Sequence, residues 1–373
     1  MAIPSAPHKR CRSSGQLQPQ PPLLPGLPDH LASLCLCHVP PRLLFSVCRS
    51  WRRLLYSPSV PPFLSLYALL SDADDSSGSA LAGFSSYDPF SASWSPLPPP
   101  PSDVLRRILL RHPSFLARHL PVQTVSASGH LVLLSATAHP LRPALPRALA
   151  FHPATRRWRP APPLSAPRRW CAAGSVGGAV YVASGIGAHY SQGVARCAER
   201  WDPMATTAGW ERVAPLKDGR FSREAAHAVG FKGKLYMVNV WGKAAKEGIV
   251  YDVESDAWED MPRGLLEGWN GPTASMEERE IYTIDEGTGS MRVYDCERDR
   301  WMDVIESEAL KGAVQMAAGG GRVCVVCEGG DEIAVVDVAA NKMWKVEPPQ
   351  GNRVVSVHVL PRMSSSADPD FVF

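Results

Sequence analysis

Cys324 and Cys327 stand three residues apart, the spacing at which two thiols grip a zinc ion or exchange a disulfide. They fall, however, within Val323 to Cys327, an apolar run that reads as a strand. Residues three apart on a strand point to opposite faces, so this pair cannot close on one metal and both thiols read as packing. Cys35 and Cys37 lie two apart on a predicted helix and face different ways, with no second pair at zinc spacing elsewhere. Cys48 sits beside an apolar helical face and also reads as packing. The eleven histidines form no HExxH or other ligand spacing. Gly185-Ile186-Gly187 is too brief to cradle a phosphate, and Gly319-Gly320-Gly321 precedes a strand, not the helix N-terminus that a nucleotide needs. Nothing marks a Ser, His and Asp triad. No catalytic residue, cofactor site or metal site is therefore expected, and the chain reads as a non-enzyme.

The elements that would position any site announce themselves through a repeat. Six times an aromatic or apolar residue, usually followed by Asp or His, is answered by a Trp seven to nine residues later. The pairs are Tyr87 and Trp94, Phe151 and Trp158, Trp201 and Trp210, Tyr251 and Trp258, Tyr294 and Trp301, and Val336 and Trp344. Successive tryptophans stand 64, 52, 48, 43 and 43 residues apart. A period of this length implies an array of units that cannot bury their apolar faces alone. Within one unit, Ala225 to Val229 suit an inner strand, Gly233 marks a turn, and Lys234 to Val238, Ile249 to Asp252 and the segment opened by Trp258 follow as strands. The same order recurs around Gly178, Glu280 and Gly321. Four short strands per unit describe a propeller blade, so the fold class is mainly β, a six-bladed β-propeller. The repeat tryptophans are expected to pack between blades, because large aromatics dominate core burial.

The first unit offers second, third and fourth strands at Leu64 to Leu70, Leu81 to Tyr87 and Ser93 to Leu97, but no inner strand before them. After Trp344 one strand is left over, Val354 to Leu360. An open ring would expose unpaired edges, so this C-terminal strand is expected to close it. An insertion, Pro98 to Leu120, stretches the first spacing and is expected to be partly helical.

With 373 residues, 45% of them hydrophobic and 20% charged, the chain can bury a large core. Its net charge of +3 is too small to argue for nucleic acid, but it divides unevenly: residues 1–63 carry +6 and the remainder −3. Nine cysteines without a framework fit a reducing compartment, and no apolar run is long enough to span a bilayer. Lys9, Arg10 and Arg12 precede Gln and Pro instead of an apolar stretch, so no signal peptide is expected. Cytosol or nucleus is the expected setting, without a membrane partner.

Residues 1–22, rich in Pro, Gln and Ser, read as a disordered lead, and 363–373 as a loose tail. Between the lead and the propeller (63–362), residues 23–62 carry helical periodicity: Asp29 is placed to cap Leu31, Leu34, Cys35 and His38, and Leu43, Leu44, Val47, Trp51, Leu54 and Leu55 recur after a Pro40-Pro41 break. So short a segment cannot make its own large core, and an apolar face is left for a partner. Arg42, Arg49, Arg52 and Arg53, interleaved with only one aromatic, read as a solvated face and not as a nucleic-acid patch.

Leu27-Pro28-Asp29, Leu31, Val39-Pro40, Leu43, Leu44, Val47-Cys48-Arg49, Ser50-Trp51-Arg52 and Leu54 resemble an F-box, and the aromatic–Trp markers resemble kelch repeats. In this order they are similar to plant F-box/kelch-repeat proteins over about residues 23 to 360. The resemblance implies a kelch-type propeller and a substrate-recruiting subunit of an SCF-type ubiquitin ligase. Its F-box would dock a Skp-family adaptor, and through it cullin and RING proteins, by Leu27, Pro28, Leu31, Leu43, Leu44, Val47 and Trp51. The propeller would hold a client protein. Two departures stand out. Kelch units place two adjacent glycines after the second strand, where this chain has Ser184-Gly185, Asn239-Val240, Asp285-Glu286 and Cys327-Glu328. His30 stands where F-boxes commonly carry an acid.

The loops entering the inner strands and those leaving the second strands should share one face of the ring. That face would carry Arg168, Arg169 and Trp170, then Arg220, Phe221 and Arg223, then Trp269 with Asn270, and also His189, Tyr190 and Trp241. Arginines and exposed aromatics are typical hot-spot residues, so an acidic or phosphorylated client segment is expected there. Two other readings remain open at this point: a kelch scaffold outside any SCF complex, and a propeller enzyme built from separate loops.

Overall fold

The computed structural model describes residues 22–36, 39, 43–44, 47–54, 64–73, 83–89, 92–101, 108–109, 122–138, 141–205, 209–222, 226–239 and 246–363. The N-terminal lead up to residue 21, most of the 98–120 insertion, Arg223, Trp241 and the tail from residue 364 lie outside them.

Six antiparallel sheets succeed one another, each with a four-stranded path. Blade 2 runs Val122–Ala127, His130–Ala138, Leu149–His152 and Arg157–Pro160; blade 3 runs Ala172–Val176, Ala179–Ala183, Ala198–Trp201 and Glu211–Val213. Blade 4 comprises Ala226–Phe231, Lys234–Asn239, Glu247–Asp252 and Ala257–Asp260. Blades 5 and 6 begin at Thr273–Met276 and Ala313–Gly319 and end at Arg300–Glu306 and Lys342–Val346. The second strands, such as Ala179–Ala183, are buried on both faces and read as unbroken apolar runs, whereas outer strands such as Ala257–Asp260 stay largely open.

Blade 1 is assembled from both ends of the ring. Asn352–Pro361 pairs with Leu64–Asp72 across nine residue pairs, from Leu64 opposite Pro361 to Asp72 opposite Asn352, and Gly83–Asp88 and Ser93–Pro96 complete the sheet. The C-terminal strand thus takes the inner place the first unit lacks, as its sequence pattern predicts. Val354 and Val357 pack with Leu66, Leu70 and the blade 6 residues Ile333 and Val335, so closure is a core contact as well as a ladder. From the insertion, Ile108 bridges Ala138 and is buried in the blade 1–blade 2 core.

The aromatic–Trp pairs oppose each other directly on the third and outer strands: Tyr87 faces Trp94, Phe151 faces Trp158, Tyr251 faces Trp258 and Tyr294 faces Trp301. Trp201 and Trp210 meet with ring centroids 5.6 Å apart. Each of these five outer tryptophans donates its indole N–H to a carbonyl of the preceding blade. The acceptors are Glu347 for Trp94 (2.8 Å), Pro98 for Trp158 (2.8 Å), Pro162 for Trp210 (2.9 Å), Ala214 for Trp258 (2.6 Å) and Leu265 for Trp301 (3.0 Å). In blades 4 and 5 the same junction is closed from the other side: Asp256 accepts from the Ala214 amide and the Tyr251 hydroxyl, and Asp299 from the Leu265 amide and the Tyr294 hydroxyl. The tryptophan is therefore half of a clasp between blades.

Trp344 corrects the sixth pair. Val336 opposes Met343, seven residues on, and Trp344 opposes Val335. One extra residue of spacing turns a strand side chain to the other face. Trp344 is accordingly 41% exposed, with the Arg322 guanidinium 5.6 Å from its ring centroid, and Met343 packs into the core in its place.

In the N-terminal segment, α1 (Asp29–Leu36) and α2 (Arg49–Leu54) enclose a small core of Leu36, Leu44 and Leu54, against which Leu23, Leu24, Val39 and Trp51 pack. Among the described residues, no helix is long and apolar enough to cross a membrane.

Candidate functional site

The helical module presents its larger side chains in two directions. Leu44 is fully buried and Trp51 half-buried, its indole N–H donating to the Leu23 carbonyl at 2.6 Å. Asp29 opens α1, and its Oδ1 accepts from the Leu23 amide at 3.0 Å, so Leu23 is held at both its amide and its carbonyl. Leu27, Leu31, Leu34, Leu43 and Val47, by contrast, are 39% to 56% exposed, and Pro28 is exposed beside them. Of the seven residues expected to dock an adaptor, five are thus open to solvent, and two, Leu44 and Trp51, shape the module from within. Leaving these aliphatic side chains in water forgoes about 25 cal/mol for each Å2 of apolar area.

The propeller face sorts its residues differently, and here several expectations are corrected. Arg168 is fully buried and paired with the equally buried Glu199. Its Nη1 donates to the Ser184 carbonyl and its Nη2, besides meeting Glu199, to the Ser165 hydroxyl, both at 3.3 Å, and Glu199 also accepts from the Ser165 amide at 3.0 Å. The pair staples the loop entering blade 3 onto that blade's third strand. A client cannot reach it. Arg169 lies with its guanidinium 3.7 Å from the Trp170 ring centroid, and both are buried. Trp170 adopts a left-handed backbone (φ 55°), which a bulky residue takes up only where its surroundings impose it. Arg169 exchanges backbone hydrogen bonds with Ile186 at 2.8 and 2.9 Å. Gly185 makes that approach possible: its φ is 103°, and a Cβ there would lie 2.9 Å from the Arg169 carbonyl oxygen. Trp269 is wholly buried among Leu265, Phe231 and Tyr294 in the blade 4–blade 5 core.

What remains open on this face is narrower. Tyr190 is 60% exposed and His189 is exposed beside it. Arg220 is exposed and ion-paired to Asp218 at 3.5 Å and Glu247 at 3.6 Å, above the buried Phe221. Asn270 accepts from Lys246 and donates to Asp285 at 3.3 Å, and burial pulls the Lys246 ammonium below its usual range.

The kelch glycine positions are filled by other devices. Asp285 Oδ1 accepts from the Gly287 and Thr288 amides, both at 3.1 Å, and so makes the turn with a side chain. In blade 6 the glycines come two residues late: Gly329 and Gly330 have φ of 94° and 69°, and Gly330 accepts from the Val354 amide of the closing strand at 2.8 Å. Cys324 and Cys327 pack on opposite sides of that blade, and burial pushes the Cys324 thiol up to about 12. Among the described residues no group of three or more His, Cys, Asp or Glu could hold a metal ion.

No family model matches the chain. Among curated proteins, F-box/kelch-repeat protein SKIP25 of Arabidopsis thaliana is 48% identical over 357 residues, covering 92% of this chain and 90% of its own length. The chain belongs to the F-box/kelch-repeat proteins. F-box protein AFR of the same plant is 24% identical, covering 73% of this chain and 71% of that protein, and a further F-box/kelch-repeat protein is 26% identical over 71% and 65%. A chain from the crystal structure of a nidogen/laminin complex superposes with a TM-score of 0.50 at 8% identity, covering 81% of this chain and all of that one, a likeness of fold alone. Within the F-box/kelch-repeat framework the two halves of the molecule acquire separate meanings: a helical F-box with an uncovered aliphatic face, and a closed kelch propeller whose loops are free to vary.

Sequence reasoning did not find Glu199, Asp256 and Asp299, the acids that complete the Arg168 staple and the Tyr–Trp clasps. Their signal was present for two of them: an Asp stands two residues before Trp258 and Trp301 alike.

Proposed function

We propose that this chain is the substrate-recruiting subunit of an SCF-type ubiquitin ligase, non-catalytic in itself. The observation that carries the proposal is the uncovered row Leu27, Pro28, Leu31, Leu43 and Val47, on an F-box whose three-leucine core is otherwise closed. This row docks the Skp-family adaptor, while Leu44 and Trp51 hold the row in shape from beneath. The adaptor links the chain to cullin and RING proteins, and the propeller holds a client near the charged E2. Transfer is thereby raised through effective concentration, not through chemistry on this chain.

The client contacts the propeller face that carries His189, Tyr190 and Arg220, with Arg223 and Trp241 completing the set of candidate residues. An acidic or phosphorylated segment suits Arg220, which would exchange its solvent-screened partners Asp218 and Glu247 for the client's charge.

Co-purification of adaptor and cullin from cells expressing the full chain tests the first half. Leu31→Lys with Val47→Glu should abolish co-purification and leave the thermal unfolding midpoint unchanged, since both side chains face water. Retained adaptor binding by that double variant would sink the proposal.

A further inference from the structure

The six inner strands surround a central cavity of about 340 Å3, and its walls differ in chemistry. Ala173, Gly174, Ala228, Ala274, Ala317 and Ala318 give blades 3 to 6 a small-residue lining, interrupted by Ser175, His227, Thr273, Ser275 and Gln315. On blades 1 and 2 the lining is hydroxylic. The ring of His358, on the closing strand, sits with Nε2 2.8 Å from Thr124 Oγ1 and Nδ1 3.1 Å from Ser126 Oγ. Thr124 and Ser126 alternate on one strand, so their hydroxyls share a side. Ser356, 6% exposed and two residues before His358, lines the same cavity, and its hydroxyl has no hydrogen-bond partner among the described residues.

The tautomer logic of this cluster is restrictive. A neutral imidazole has one N–H and one bare nitrogen. Of the two hydroxyls, therefore, one accepts from the ring and keeps its own proton to donate, while the other donates to the ring and keeps lone pairs to accept. The cavity is thus offered a donor and an acceptor side by side. Burial holds His358 neutral, pulling its pKa down to about 4. Among the described lining residues there is no Lys or Arg. The lining carboxylates, Glu277 and Glu278, are already occupied, accepting from the Gly320 amide at 2.7 Å and the Gly177 amide at 2.8 Å. An anion would find no cation here, and a cation no free carboxylate.

We infer that the propeller's central cavity is a binding site for a neutral cyclic polyol, a hexose or cyclitol, held by Thr124, Ser126 and Ser356 with its CH face on the small-residue lining. A vicinal diol supplies one acceptor and one donor in register with the two hydroxyls, and its ring carbons need the alanine side chains opposite. The donor-and-acceptor pair is what distinguishes this class: water satisfies it too, but a diol satisfies both groups with one ordered molecule. The inference is independent of the adaptor and client readings, since none of their residues enters the cavity.

Saturation-transfer NMR and calorimetry on the full-length chain test it, with glucose and myo-inositol as neutral probes and inositol hexakisphosphate and spermidine as charged ones. At least one neutral ring should bind, and neither charged probe should. Thr124→Val with Ser126→Ala should weaken that binding by about tenfold, the loss expected for two hydrogen bonds. His358 lies in the closing strand, so its substitution would confuse folding with binding; the hydroxyl variants are compared with the parent at a temperature below both melting transitions, where all are folded, so any loss of stability from the unpaired ring does not enter the affinity. Ser356→Ala, a still smaller change, should weaken binding without altering the melt. No binding by either neutral ring at millimolar concentration would overturn the inference. So would affinity indifferent to the hydroxyl variants, or a charged probe binding with the same sensitivity to them.

Discussion

Leu31 and Leu133 carry the same side chain and meet opposite fates: the first is 42% exposed on the F-box, the second fully buried between blades 1 and 2. Arginine and tryptophan divide the same way. Arg220 is open on the propeller face while Arg168, in the preceding loop of the same kind, is sealed against Glu199; Trp344 stands out in water while Trp269 is lost in the core. Residue type therefore says little about which surface docks a partner. What decides is whether the local frame has an interior to offer. A ring of six sheets has a great deal, and it draws in nearly every large side chain at its seams. The F-box has room for three leucines and leaves the rest outside.

The closing strand is where this contrast breaks most completely. Removal of residues 350 to 373 strips the inner strand from blade 1 and uncovers the Leu66–Ile333 core. The expected outcome is total loss of soluble, folded propeller, read as loss of the cooperative thermal transition. An F-box carrying its own small core should not rescue it. A truncated chain that still unfolds cooperatively would show that blade 1 does not need its inner strand.

Within the ring, Arg168→Ala and Arg220→Ala separate a staple from a contact. Arg168→Ala leaves Glu199 buried without its cation and should destabilise the fold by about 3–5 kcal/mol. Arg220→Ala removes only solvent-exposed pairs and should shift stability by no more than about 0.5 kcal/mol. Chemical denaturation of both variants decides the matter, and similar midpoints would place Arg168 among the surface residues that the sequence alone suggested.

Acid should find the blade 1–blade 2 seam before the clasps of blades 4 and 5. His358 and His130 are both pulled down to about 4, by burial in each case and at His130 also by the neighbouring His152, whose ring centroid is 4.7 Å away. An unfolded histidine titrates near 6.5, so between about 6.5 and 4 the unfolded chain binds more protons than the folded one. Stability is then complete above pH about 6.5 and falls as the pH drops towards about 4, with His358 accounting for a loss on the order of 3 kcal/mol. Asp256 is shifted the other way, held below its usual range by the Tyr251 hydroxyl and then the Ala214 amide, so its clasp persists until the pH falls below about 4. Unfolding free energy measured at intervals from pH 7.5 to 4 should show the first decline, and His358→Gln should reduce it by roughly half, His130 carrying the rest. A profile unchanged by that substitution would refute the assignment.

How much of this was legible beforehand follows the same division. The blades, their number and the closing strand could be read, because alternation, turn glycines and a leftover strand are local signals with a global consequence. The buried state of Arg168, Arg169, Trp170 and Trp269 could not, since each depends on a neighbour distant in sequence: Glu199 for Arg168, Gly185 for Arg169 and Trp170, and Tyr294 for Trp269. Loop composition suggests a surface, and only the fold says which loop residues turn inward. The hydroxyl cluster around His358 was equally hidden, although Ser356 and His358 interrupt a run of valines at a spacing of two.

The smallest effect is the most discriminating for the repeat itself. Trp301→Phe keeps an aromatic ring against Tyr294 but removes the N–H that reaches the Leu265 carbonyl. A buried carbonyl deprived of one donor costs about 1 kcal/mol, so a destabilisation of that order is expected. Trp344→Phe removes no inter-blade bond, because the sixth unit has shifted its core position to Met343; its cost should lie within about 0.5 kcal/mol. Equal losses at the two sites would mean that the repeat tryptophans act through bulk alone. Unequal losses in the expected direction would show that the Trp301 clasp is a directional bond, and that the blade 5–blade 6 junction, which has no such clasp, is bridged by backbone instead, from the Gly312 amide to the Glu286 carbonyl at 2.8 Å.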